Sequence, residues 1–257
     1  MRIPAVLAAL TLALSACGGG TTDTRPTPAP TPTPTTATPT TATPTTATPT
    51  TASPTPVPTR DPAPSYRDGI DASHHQGPIA WREVARSGIT FAYLKASEGT
   101  GFTDPDFADN RRKATRAGID VAGYHYFQLC SDGAAQAEHF LAVLGDARSS
   151  IPPALDLELQ GSCADPPAPA ALLTEVRAFL RRVDRATGMR TLVYLYPELE
   201  ARYGFADDLA SHPQWVRRLG DRPPRRPWAV WQHDDAGSVP GMSGNVDLNR
   251  MRADRSD

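Results

Sequence analysis

The run Pro153-Ala-Leu-Asp-Leu-Glu-Leu159 sets two carboxylates at i and i+2 among leucines. Side chains alternate faces along a β-strand, so Leu155, Leu157 and Leu159 would share one face and Asp156 and Glu158 the other. Two acids forced together in a confined site repel each other, and one of them keeps its proton towards neutral pH. A protonated carboxyl beside a second carboxylate is the pair that breaking a glycosidic bond requires. A half-exposed strand with a solvated acidic face fits the same pattern, so the motif alone leaves both readings open.

Further polar groups fall at the ends of other apolar runs. Asp71 closes Gly69-Ile-Asp71, and Lys95 and Glu98 follow the run from Thr90. Tyr124, His125 and Tyr126 close the run from Asp120, and Asp247 lies in Gly244-Asn-Val-Asp-Leu-Asn249. Each one singly reads as structural. Polar groups at the ends of so many strands are harder to explain as packing.

The elements that must position these groups follow from periodicity. Strands are expected at Asp68–Ala72, Thr90–Ala96, Asp120–Phe127, Pro153–Leu159 and Thr191–Tyr196. One helix is expected to open at Asp104-Pro105 as N-cap and N1 and to end before Gly118. Another should run from Gly133 to Leu144 and stop at Gly145. The longest, Ala168–Ala186, carries Leu172, Leu173, Val176, Phe179, Leu180 and Val183 on one face, a core stripe. Trp215-Val216, Trp228–Gln232 and Asn245–Leu248 read as three short strands with little helix between them. The alternation predicts an α/β fold, an irregular parallel TIM-like barrel with its chemistry at the C-terminal strand ends.

Here the motifs become specific in combination. The run Asp71-Ala-Ser-His-His-Gln-Gly77 resembles the opening signature of glycoside hydrolase family 25, the muramidase-type lysozymes. Trp81, Lys95-Ala-Ser-Glu-Gly99, Gly123-Tyr-His-Tyr-Phe127, Gln136-Ala137, Asp156-Leu-Glu158, Trp231-Gln232 and Val246-Asp-Leu-Asn249 resemble its later motifs in order and spacing. The resemblance implies a (β/α)5β3 barrel that hydrolyses the β-1,4 bond between N-acetylmuramic acid and N-acetylglucosamine. It makes Glu158 the acid/base, with Asp71, Asp156 and Asp247 as supporting acids. Lys95, Glu98, Tyr124, His125, Tyr126, Tyr194, Trp231 and Gln232 are the expected substrate-binding residues. The chain departs from the family after Trp215, where Arg217, Arg218 and a Pro/Arg-rich stretch through Arg226 intervene. A glycan-binding envelope lipoprotein without activity, and a hydrolase of another glycan, are the competing readings; the retained acids favour the muramidase.

Cys130 and Cys163 each follow a strand that ends near the acids, and an exported protein would pair them as a disulfide. Their separation resembles that of family members from Gram-negative bacteria. No cofactor is implied. Two cysteines lack further ligands for a metal, and His74 and His75, adjacent at a strand end, are expected to point apart. A net charge of −2 gives no argument for nucleic acid binding. The expected assembly is a monomer.

The first 65 residues have another texture. Arg2 precedes an apolar run from Ile3 to Leu14, too short to span a bilayer. Leu14-Ser-Ala-Cys17 resembles a lipobox, making residues 1–17 a signal peptide with Cys17 as the first, lipidated residue. Residues 18–65 repeat Thr-Ala-Thr-Pro-Thr and read as an extended spacer, able to reach on the order of 100 Å at about 3.1 Å per residue. Residues 66–257 are the barrel. This organisation implies a cell-envelope protein, on the periplasmic face of the outer membrane if the cell is Gram-negative. Cys17→Ser should therefore move the protein from the detergent phase to the soluble fraction; unchanged membrane association would exclude lipidation at Cys17.

Overall fold

A computed structural model describes residues 66–146, 149–160 and 163–253. The expected signal peptide with Cys17 and the expected spacer, residues 1–65, lie outside the described residues. Nine strands form one sheet: β1 (Tyr66–Ala72), β2 (Phe91–Glu98), β3 (Phe102–Thr103), β4 (Asp120–Tyr126), β5 (Ala154–Leu157), β6 (Leu192–Leu195), β7 (Gln214–Arg217), β8 (Val230–Gly237) and β9 (Val246–Arg252). β1 pairs with both β2 and β9, which closes eight strands into a barrel; β3 folds back on the end of β2. Helices α1 (Trp81–Arg86), α2 (Phe107–Arg116), α3 (Gly133–Leu144) and α4 (Pro169–Thr187) follow β1, the β2–β3 hairpin, β4 and β5. The short helices α5 (Pro197–Tyr203) and α6 (Phe205–Asp208) follow β6. The result is five β-α units and three closing strands.

One expectation about direction is corrected. β1, β2 and β4 to β8 pair in parallel, but β9 runs antiparallel to both β8 and β1. β8 and β9 are joined by a tight connection with no helix, and such a link makes a hairpin, not a crossover. α1 and β3 were not legible from periodicity, being six and two residues long.

The period-two rule organises the core. Ala154 faces inward with Phe91, Tyr93, Leu192, Trp215 and Val230, which plug the barrel interior. Leu155 and Leu157 face outward and pack under Val176, Phe179 and Leu180 of α4. Of the α4 stripe, Leu172, Val176, Phe179, Leu180 and Val183 are buried and Leu173 is half-buried. α4 starts on Pro169 and stops at Gly188, whose φ of 71° is left-handed. α3 is capped by Asp132, whose carboxylate accepts the Ala135 N–H at 2.7 Å. Gly133 lies so near α4 that an added Cβ would sit 2.0 Å from the Glu175 carbonyl oxygen.

α2 does not open at Asp104-Pro105. Its N-cap is Asp106; Asp104 stands two residues ahead, one carboxylate oxygen accepting the local Asp106 N–H and the other drawn to the His74 N–H, each at 3.0 Å. His74 and His75 also depart from expectation. They lie on a 3-10 turn, His74–Gln76, capped by Ser73, and their rings lie against each other, tilted by 39° with centroids 4.0 Å apart. A turn, unlike a strand, does not send consecutive side chains to opposite faces.

Cys130 and Cys163 form a disulfide with Cα atoms 5.9 Å apart, tying the loop after β4 to the loop after β5. The sequence separation is 33, for which loop closure in the unfolded chain gives about 3–4 kcal/mol. Replacing both cysteines with alanine should lower the thermal midpoint by roughly 6–15 °C for a domain of this size. A midpoint within a degree of the parent would show that the bridge does not restrain the unfolded chain.

Candidate active site

Closure of the barrel gathers the acids. Asp71 at the end of β1 stands directly opposite Asp247 of β9 in the antiparallel ladder. Asp156 of β5 lies beside Tyr126 of β4 and Tyr194 of β6. The β5 ladder ends at Leu157, one residue earlier than the shared-strand picture needs, so Glu158 stands just past the strand. All four carboxyl groups line one cleft of about 510 Å³ at the C-terminal ends of the parallel strands.

Burial dominates their electrostatics. Removal from water pushes Asp71 well above the ordinary carboxylate range, and Asp247 opposite adds to the push. Two amides oppose it. Asn249 Nδ2 donates to Asp71 Oδ2 at 2.7 Å and Gln232 Nε2 at 3.4 Å. Their orientation is not free. Trp215 Nε1 donates to Asn249 Oδ1 at 2.8 Å and the Tyr194 hydroxyl donates to Gln232 Oε1 at 2.9 Å. Both amide oxygens are thereby taken, and both NH2 groups turn to Asp71.

Asp156 is raised well above the usual range by burial, then by Glu158 and Asp71. Its Oδ1 is buried with no hydrogen-bond partner. Glu158 is pushed by burial up to about 7, while its hydrogen bond with Asp156 pulls the other way. A hydrogen bond between two carboxyls requires that one of them keep its proton. Tyr124, Tyr126 and Tyr194 line the same cleft, and burial raises all three hydroxyls, which stay neutral donors. Lys95 lies 4.8 Å from the Tyr126 ring centroid and lowers the Asp156 carboxyl.

The structure does not bring every expected residue to the cleft. Lys95, Tyr124, Tyr126, Tyr194 and Gln232 line it. Glu98 stands behind, its carboxylate held by Lys95 Nζ at 2.6 Å and Gln128 Nε2 at 2.7 Å. His125 faces the opposite side of β4. It is fully buried, stacked on Phe179 at 5.0 Å, with Nδ1 2.8 Å from the Ser97 hydroxyl and Nε2 3.2 Å from Gln136 Oε1. Burial lowers it to about 3, so it is neutral packing rather than a ligand contact. Trp231 is also buried outside the barrel, its Nε1 donating to the Arg218 carbonyl at 2.6 Å. Asn249, Trp215, Tyr196, Arg217 and Asp235 were not among the expected site residues. Trp215, Tyr196, Arg217 and Asp235 line the cleft, and Asn249 holds Asp71. Alternation from Asp247 points to Asn249, and alternation from Trp215 points to Arg217. Among the described residues no group of three His, Cys, Asp or Glu side chains is arranged to hold a metal ion.

Comparison with known proteins agrees with this geometry. The model of "Glycosyl hydrolases family 25" matches residues 70–242. Lysozyme M1 of Streptomyces globisporus is 33% identical over 197 residues, covering 71% of this chain and 67% of its own. The crystal structure of the bacterial lysozyme from Streptomyces coelicolor superposes with a TM-score of 0.66 at 33% identity, covering 74% of this chain and 93% of its own. A family 25 glycosyl hydrolase from Bacillus anthracis gives 0.67 at 27% identity, covering 73% and 89%.

The raised carboxyls carry a stability signature. Glu158 moves from its ordinary 4.5 to about 7 on folding, so the native state binds its proton more tightly than the unfolded chain. Its penalty is absent below pH 4.5 and develops as pH rises through 7. Glu158→Gln removes the ionisable group and should stabilise the protein by about 1–3 kcal/mol at pH 8, with the gain vanishing near pH 4. Denaturant unfolding at the two pH values checks this; a gain independent of pH would contradict the shift.

Proposed function

The chain belongs to glycosyl hydrolases family 25 and is a glycoside hydrolase, and from that premise we propose that it is an envelope N-acetylmuramidase. Its substrate is the peptidoglycan glycan strand, cut at the β-1,4 bond between N-acetylmuramic acid and N-acetylglucosamine. The signal peptide and spacer read from residues 1–65 tether it by lipid to a bacterial membrane. The observation that carries the reading is the Asp156–Glu158 pair: one carboxyl raised to about 7 beside a deeper one with an unpartnered buried oxygen.

The chemistry follows from those two environments. The N–H of the substrate's acetamido group meets Asp156 Oδ1, the buried acceptor without a partner. That hydrogen bond stabilises the Asp156 carboxylate and leaves the shared proton on Glu158. Glu158 passes the proton to the leaving glycosidic oxygen as the bond breaks. The acetamido oxygen, polarised through its N–H by Asp156, attacks the anomeric carbon. Water then enters, gives a proton to the Glu158 carboxylate and opens the cyclic intermediate. Two displacements at one carbon retain its configuration. Asp71 and Asp247 face the developing positive charge as electrostatic groups, and the neutral tyrosines donate to sugar hydroxyls.

Digestion of purified sacculi with mass analysis of the fragments tests the assignment of the bond. Fragments ending in reducing muramic acid are expected; reducing glucosamine ends, or binding without release, would overturn it. Within that activity the two acids should fail differently. Glu158→Gln keeps shape and hydrogen bonding but loses the proton donor, and should lower turnover at least about 10²–10⁴-fold with substrate binding largely intact. Asp156→Asn should slow turnover less, because the amide still positions the acetamido group. Near wild-type turnover in Glu158→Gln would remove Glu158 from the acid role.

A further inference from the structure

The connection from β7 to β8 is unlike the rest of the molecule in charge. Five of the ten residues from Arg217 to Arg226 are arginine, in a chain whose net charge is −2. β7 and β8 are parallel neighbours, so this connection must return from the cleft end of the barrel to the opposite end, down its outer flank. It does so without a helix.

Its first residues are pinned. The Arg218 N–H donates to the Gln232 carbonyl and the Gly220 N–H to the His233 carbonyl, both at 2.9 Å. The Arg218 guanidinium donates to the Pro223 carbonyl at 2.9 Å, curling the loop on itself. Pro223, Pro224 and Pro227 restrict the backbone further. Arg217, inside the cleft, pairs with Asp235. Arg222 and Arg225 are exposed and Arg226 is half-buried, and none of the three forms an ion pair among the described residues. They stand as unspent positive charge on a preorganised loop that begins at the cleft.

The cleft itself has the opposite problem. Its acids repel an anionic polymer, and its two cations, Lys95 and Arg217, are each engaged with a carboxylate of the protein. Peptidoglycan carries a carboxylate on muramic acid where no stem peptide is attached, and further carboxylates on the stem peptides. We propose that Arg222, Arg225 and Arg226 form a docking strip for those carboxylates, seating the barrel on the wall with the cleft against a strand. The inference rests on the muramidase reading and adds where the wall is held. Distributed arginines bind such groups through charge-assisted hydrogen bonds, and the attraction falls with salt.

The test uses the full chain carrying Glu158→Gln, so that co-sedimentation with purified sacculi reads binding without cleavage. Arg222→Gln/Arg225→Gln/Arg226→Gln in that background should weaken sacculus binding roughly 3- to 30-fold at low salt, from three charge contacts at the surface. The difference should close towards 1 M salt, where the screening length is about 3 Å. Arg116→Gln/Arg181→Gln/Arg185→Gln, equal in charge and on α2 and α4, should bind like the parent. Equal loss in that control would make the effect one of net charge and overturn the strip. Unchanged sacculus binding in the first triple variant would also overturn it. So would loss of binding to anionic phospholipid vesicles with sacculus binding retained, which would make the loop a membrane contact. Product masses from the active chain report on the muramidase reading separately.

Discussion

Five carboxyl groups line one cleft, and of these only Asp235 is paired with an arginine; Asp71, Asp156, Glu158 and Asp247 are desolvated together without an equal number of free cations. Coulomb repulsion in a low-dielectric site grows steeply as charges approach, so these groups cannot all ionise together near neutral pH. Protons must be retained, and where they sit is decided by small differences in surroundings. Asp71 has two amide donors and stands against Asp247; Asp156 has a neighbouring lysine and an acceptor oxygen with no donor. Burial pushes Glu158 up to about 7 and raises Asp156 well above the usual carboxylate range, each shaped by its own neighbours. The chemistry proposed for the site depends on that difference in surroundings.

The barrel exists, in this sense, to hold charges where water would not let them stay. Beneath the acids, Phe91, Tyr93, Leu192, Trp215 and Val230 fill the interior and exclude solvent from below. Outside, Leu155 and Leu157 are clamped under α4, which keeps the inward face of β5 from rotating. The antiparallel β9 sets Asp247 against Asp71, an arrangement of like charges that a sheet chosen for stability would avoid. Trp215 and Tyr194 fix the two amides that restrain Asp71, so aromatic groups of the inner core are part of the electrostatic device. Destabilising features concentrated at one end of a well-packed frame are what a functional site looks like in energetic terms.

Much of this was legible in the sequence, and the misses have physical causes. Period two at Leu155 to Leu159 placed Asp156 and Glu158 on the inner face, and the α4 stripe and the Gly145 stop of α3 emerged at their expected positions. His125 and Trp231 were grouped with their cleft-facing neighbours by motif, although the same alternation sends them outward into the packing. The same rule points to Asn249 from Asp247 and to Arg217 from Trp215. Asp104 carried a local helix-start signal, but one of its carboxylate oxygens is drawn to a partner 30 residues away, the His74 N–H. The reversed direction of β9 follows from its short, helix-free link to β8, a matter of connection length rather than of period.

The proposed chemistry requires Asp156 and Glu158 to share one proton near neutral pH. Carboxyl titration by difference infrared spectroscopy, with Glu158→Gln and Asp156→Asn as references, measures it most directly. The wild-type protein should show a carboxyl that ionises near pH 7, absent in Glu158→Gln and moved towards the ordinary range in Asp156→Asn. A wild-type spectrum in which every carboxyl of the cleft has ionised by pH 5 would exclude a shared proton.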